Sequence, residues 1–129
     1  QIGSSGYSAK IGSSGDSAQI GSSGYSAKIG SSGDSAQIGS SGYSAKIGSS
    51  GDSAKIDSTG EDSVIMCAGN SSTAKAKVGS WITLAEWKWS DEKKRDVPVC
   101  VKTEYVDGEN IKADTWYQLK NGKFVEVNE

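Results

Sequence analysis

Three aspartates, Asp16, Asp34 and Asp52, stand eighteen residues apart. Carboxylates at a fixed interval are the feature of the first half of the chain that most suggests metal chemistry. A hard cation such as calcium takes roughly six to eight oxygen ligands, and one carboxylate per interval supplies too few. The three aspartates are therefore weak metal candidates; a solvated, self-repelling column is the favoured expectation, and no cofactor is expected. The chain has no histidine, which removes Ser-His-Asp and Cys-His nucleophilic catalysis and every histidine-containing zinc site. Its many serines lack a candidate base, since Lys10 and its repeats read as outward strand residues. No catalytic residue is assigned, and the protein is expected not to be an enzyme.

Two cysteines and four tryptophans remain. Cys67 and Cys100 admit a disulfide, worth about 2 to 4 kcal/mol if it tied two parts of the chain together. Two buried thiols acting as small apolar side chains are the favoured alternative. Trp81, Trp87, Trp89 and Trp116 suit a sugar-binding platform, but packing in an apolar core is the default for so many large rings. Asn70-Ser71-Ser72 matches a glycosylation sequon, a signal of low specificity.

The elements that must position these groups are set by repetition. Residues 1–58 repeat the phrase IGSSG(Y/D)SA(K/Q), with Ile2, Ile11, Ile20, Ile29, Ile38, Ile47 and Ile56 nine apart. The variable site alternates Tyr7, Tyr25 and Tyr43 with the three aspartates, so the full period is eighteen. A short fixed period signals a solenoid. Ala and Ile sit two apart, as in Ala9-Lys10-Ile11, so both point inward from a strand while Lys or Gln faces water. Gly-Ser-Ser-Gly then makes a corner, where glycine is expected to supply positive φ. Helix is excluded by the density of Gly and Ser and by the absence of apolar residues at three-and-four spacing. The expected fold is all-β: a two-sheet parallel β-solenoid of about eighteen residues per coil, with Ile11, Ile20, Ile29, Ile38, Ile47, Ile56 and Ile65 as its core. The tyrosines should stack in one column.

One coil cannot stand alone. A buried Ile contributes about 1.5 to 3 kcal/mol, whereas fixing nine backbones costs about 9 to 18 kcal/mol. Ladders between coils, and inward serine hydroxyls bonding along their column, are expected to offset the deficit. Gln1 enters in mid-phrase with no polar cap before it, so the sequence predicts self-association, as a homodimer or end to end, through the first coil or a sheet edge.

The pattern loosens after residue 56 but keeps its beat through Ile65, Gly60 and Gly69. Residues 1–78 thus read as the solenoid, with 1–56 idealised and 57–78 a degenerate final coil. Residues 79–129 hold all four tryptophans, the single Phe and the single Pro. They read as an antiparallel cap: strands over 81–89 and 97–106, then a hairpin at Asn121-Gly122. A net charge of −2 argues against nucleic-acid partners. No apolar run approaches a membrane span and no secretory leader is read, so no membrane partner is expected.

The phrase IGSSGYSAKIGSSGDSAQ resembles consensus β-solenoid repeats, in particular the nonapeptide β-roll, which also sets two strands in an eighteen-residue turn. It lacks the GGxGxD of the calcium-binding form. The stretch from Gly79-Ser80-Trp81-Ile82-Thr83 to Cys100-Val101-Lys102-Thr103-Glu104-Tyr105 is similar to the C-terminal region of uncharacterised bacterial and phage repeat proteins, a resemblance that implies no activity. Internal copies this uniform point to an engineered, idealised repeat joined to a natural cap. The functional expectation is a structural scaffold; the alternative is a surface-binding module that uses the cap aromatics or a flat coil face to hold glycans or cell and phage surfaces.

Overall fold

A computed structural model describes residues 2–4, 10–22 and 24–127. Nine short strands precede the cap: β1 Ile2–Ser4, β2 Lys10–Ser13, β3 Gln19–Ser22, β4 Lys28–Ser31, β5 Gln37–Ser40, β6 Lys46–Ser49, β7 Lys55–Ser58, β8 Val64–Cys67 and β9 Thr73–Lys75. Odd and even strands go to different sheets, so each coil of eighteen residues gives one rung to each. The first sheet is ordered β1-β3-β5-β7-β9 and the second β2-β4-β6-β8, all parallel. Register is strict: Ile20 lies beside Ile38 and Ile38 beside Ile56, while Ile29, Ile47 and Ile65 align in the other sheet.

Alternation does the sorting. In β3 and β4 the Lys or Gln and the Gly face out while Ile and Ser face in. Ile20, Ile29, Ile38, Ile47, Ile56 and Ile65 are buried, Ile11 is partly buried, and Ala27, Ala36, Ala45 and Ala54 close the corners without exposure. The Ile2 side chain and Tyr7 lie outside the described residues. Tyr25 and Tyr43 stack as expected, with ring centroids 5.3 Å apart and planes 4° from parallel.

Two expectations about the coil are corrected. Positive φ at the corners belongs to serine, not glycine: Ser17, Ser26, Ser35, Ser44, Ser53 and Ser71 lie between 56° and 59°, with Asp62 in the same role. That conformation costs a residue with a Cβ about 1 to 2 kcal/mol. At Ser17, Ser26, Ser35, Ser44 and Ser53 it is held because the corner N–H donates to the coil ahead, as Ser35 does to the Asp52 carbonyl at 2.8 Å. The corner glycine serves instead for approach: a Cβ on Gly33 or Gly51 would fall on the carbonyl of the glycine one coil before. The second correction concerns the inward serines. The hydroxyls of Ser22, Ser31, Ser40, Ser49 and Ser58 have no hydrogen-bond partner. Aligned side chains on parallel strands stand about 4.8 Å apart, whereas an O–H···O bond needs about 2.8 Å. Small size, rather than bonding, is what these serines supply to the interior.

The cap extends both sheets. β10 (Trp81–Ser90) pairs in parallel with β8 over Trp81–Thr83 and then runs antiparallel to β11 (Arg95–Tyr105), with a bulge between Glu86 and Trp87. β12 (Tyr117–Lys120) joins β9 antiparallel and turns at Asn121-Gly122 into β13 (Lys123–Glu126). Both turn residues have positive φ, 53° and 77°, as a tight primed hairpin requires. Ile82, Leu84, Val106, Ile111, Tyr117 and Leu119 carry the interior of the coils into the cap as one cluster.

Candidate functional site

The outer face of the second sheet is the surface with the most organised chemistry. Parallel register turns each outward position into a row along the coil axis. One row runs Lys10, Lys28, Lys46, Val64, Trp81, Tyr105. The next runs Gly12, Gly30, Gly48, Met66, Thr83, Thr103. Without side chains the glycine row leaves a trough. One groove of about 560 Å³ lies between the lysines and Met66, and a second of about 760 Å³ runs beside it toward Ser14, Ser32 and Ser50. Among the described residues, Lys10, Lys28 and Lys46 have no carboxylate partner. The aspartates of the same coils sit at the opposite corner. At the cap end the trough meets Met66 and Trp81, 55% and 48% exposed. The rings of Trp81 and Tyr105 lie 4.9 Å apart, and Thr83 and Thr103 share a 2.8 Å hydrogen bond beside them.

The aspartate column has a structural task that the sequence reading missed. Asp34 N–H donates to Asp16 Oδ1 at 3.1 Å, Asp52 N–H to Asp34 Oδ1 at 2.9 Å, and Asn70 N–H to Asp52 Oδ1 at 2.9 Å. Asn70 Oδ1 in turn receives the Trp87 N–H at 3.4 Å. The ladder therefore runs from the repeat into the cap, and Asn70 is engaged within it. Among the described residues no cluster of three or more carboxylate or thiol groups is placed to hold a metal ion.

Cys67 and Cys100 are both free thiols. The candidate disulfide is not formed, because β10 lies between β8 and β11. Two strand spacings alone set their backbones at least about 9.5 Å apart, beyond disulfide reach. Burial pushes the Cys67 thiol up to about 12.

The tryptophans correct the core expectation. Trp81 and Trp89 are exposed, at 48% and 60%, because the alternation that sends Ile82 and Leu84 inward sends Trp81 outward. Trp87 is half-buried and covers the last coil, its Nε1–H donating to the Ala68 carbonyl at 2.7 Å. Trp116 is half-buried under the Lys75 ammonium, 5.0 Å from the ring centroid. The four rings do not form one platform; Trp81 joins the lysine–glycine face and Trp89 lies near the β10–β11 turn, bonded to Asp91.

Two carboxylates fasten the cap. Glu86 accepts the N–H groups of Asn121 and Gly122 at 2.9 and 3.1 Å, and the Asn121 bond chiefly holds its carboxyl below the ordinary glutamate value. Asp107 is held low in the same way by Glu109, Ile111 and Asn110 N–H groups. The chain gives no match among protein-family models, curated proteins or solved structures.

Proposed function

We propose that the protein is a non-enzymatic structural scaffold, an idealised engineered repeat closed by a natural-type cap. The observation that supports this most directly is the repeated register, Ile20 beside Ile38 beside Ile56, built from near-identical sequence. Each eighteen-residue unit meets its neighbours through the same contacts, so a unit can be added without altering the others. The chemistry of the chain is consistent with this role: its serines have no base, and the Cys67 thiol is buried and protonated.

Insertion of one further IGSSGYSAKIGSSGDSAQ unit tests the reading. The expected protein is longer by about 4.8 Å along its axis, with a higher melting temperature and proportionally more β signal in circular dichroism. An inserted unit that adds random-coil signal and no length in small-angle scattering overturns it.

A further inference from the structure

We propose that the lysine–glycine face of the second sheet binds a linear acidic polysaccharide, a polymer carrying one carboxylate on each sugar ring, laid along the coil axis. Three features of that face, distinct in origin, converge on this occupant.

The first is charge. Lys10, Lys28 and Lys46 stand in strict register, one per coil, with no carboxylate partner among the described residues. Neighbouring ammonium groups on adjacent rungs repel one another, and a polyanion along the row would relieve that repulsion. The molecule as a whole has a net charge of −2, so attraction to a polyanion must come from this row rather than from the overall field.

The second is shape. Gly12, Gly30 and Gly48 have open space where a side chain would stand. The trough they leave lets a flat ring approach the sheet while its carboxylate reaches the lysine row. The third is the aromatic end: Trp81 and Tyr105 continue the lysine row, half-exposed, in contact with each other. Rings of this kind stack against the apolar face of a sugar. From Lys10 to Tyr105 the row crosses six strands, five spacings or about 24 Å, room for several sugar rings.

Spacing selects among anionic polymers. An acidic strand shows same-face side chains about every 6.7 Å, out of step with a ladder of about 4.8 Å. A pyranose ring with one carboxylate repeats at a length close to a single rung. Single-stranded nucleic acid needs an aromatic ring for each of several successive bases, whereas the rings on this face, Trp81 and Tyr105, are confined to its cap end.

This goes beyond the scaffold reading, since the coil does not depend on a ligand. Titration of the whole protein with polygalacturonate by calorimetry, with dextran, poly-L-glutamate and poly(dT) in parallel, tests it. The decisive variant is Lys10→Gln/Lys28→Gln/Lys46→Gln. Gln19 and Gln37 hold the equivalent place in the first sheet, so the fold accommodates the change. The control is Lys93→Gln/Lys94→Gln/Lys123→Gln, which removes the same charge elsewhere. The expected result is saturable binding of polygalacturonate that weakens with salt, falls by about tenfold or more in the ladder variant, and persists in the control. Trp81→Ala weakens binding as well. Should the triple ladder variant not melt cooperatively, Lys28→Gln alone carries the comparison, with a smaller loss in the same direction. No binding of polygalacturonate at low salt, equal loss in both triple variants, or equal or tighter binding of poly-L-glutamate or poly(dT) overturns the proposal.

Discussion

Asp52 secures the corner of the coil ahead of it: its Oδ1 accepts the backbone N–H of Asn70 at 2.9 Å. Asp34 does the same for Asp52, and Asp16 for Asp34. Replacement of Asp52 by Ala deprives the Asn70 N–H of its acceptor and should lower stability by about 0.5 to 1.5 kcal/mol in urea unfolding. Asp52→Asn keeps an acceptor in place, as Asn70 itself does toward Trp87, and should be close to neutral. Equal losses in the two variants would show that the charge, not the hydrogen bond, matters.

The two glycines of one nonapeptide should respond in opposite directions. A Cβ at Gly48 meets nothing within 4 Å, so Gly48→Ala should hold or raise stability by up to about 1 kcal/mol through lost chain entropy. A Cβ at Gly51 collides with the Gly33 carbonyl, and Gly51→Ala should cost about 1 to 3 kcal/mol or more. Paired thermal melts check the sign of each.

The attachment of the β12–β13 hairpin should weaken in acid. Glu86 has a folded pKa held below its ordinary value of 4.5, first by the Asn121 N–H, with Gly122 and Lys88 assisting against the opposing effect of burial. A depressed carboxylate stabilises fully above the unfolded pKa, and its contribution disappears as pH falls through the folded value. The protection of the Asn121 and Gly122 amides, measured against their intrinsic exchange rates, should therefore fall below about pH 4.5. Glu86→Gln should remove that pH dependence.

Thiol labelling of the native protein should resolve two classes. Cys100 is partly buried and should react, whereas Cys67, 1% exposed and with its thiol pushed up to about 12, should react only as fast as the protein unfolds. Two equally fast thiols would contradict the packing of β8.

The coil was legible because its information is periodic. Ile every nine residues fixes which side chains face in, and register follows because a slip of one residue would expose every Ile. The Asn121-Gly122 turn was legible for a similar reason: two positive φ values in succession select those residue types. What lay outside that reach depends on distance rather than pattern. Ser17 and Ser35 hold positive φ through N–H bonds to the Asp34 and Asp52 carbonyls of the coil ahead, partners that a single phrase does not show. The orphaned hydroxyls of Ser22 and Ser40 follow from a rung spacing that composition does not reveal. The aspartate ladder and the separation of Cys67 from Cys100 likewise require knowing which strand lies between which. Of the lysine–glycine face, the alternating residues were visible in the sequence. Its junction with Trp81 and Tyr105 was not, because β10 continues the sheet through a pairing with β8 that no repeat announces.

The one-way carboxylate ladder gives the molecule a heading. Each aspartate corner lends its acceptor toward the cap, and Asp34, Asp52 and Asn70 each receive one from the opposite side, so these corners behave like a queue in which each member steadies the one in front. Removing a coil far from the cap takes from the next coil a carboxylate acceptor and backbone acceptors such as the Ser13 and Ala18 carbonyls, which receive the Ser32 and Gln37 N–H groups, and leaves the cap end covered. Removing Trp87 and β10 uncovers Asn70 and the Ala68 carbonyl at the head of the queue. Wear should thus begin at the tail and travel forward, and an experimenter wishing to shorten this protein should trim it from the repeat side.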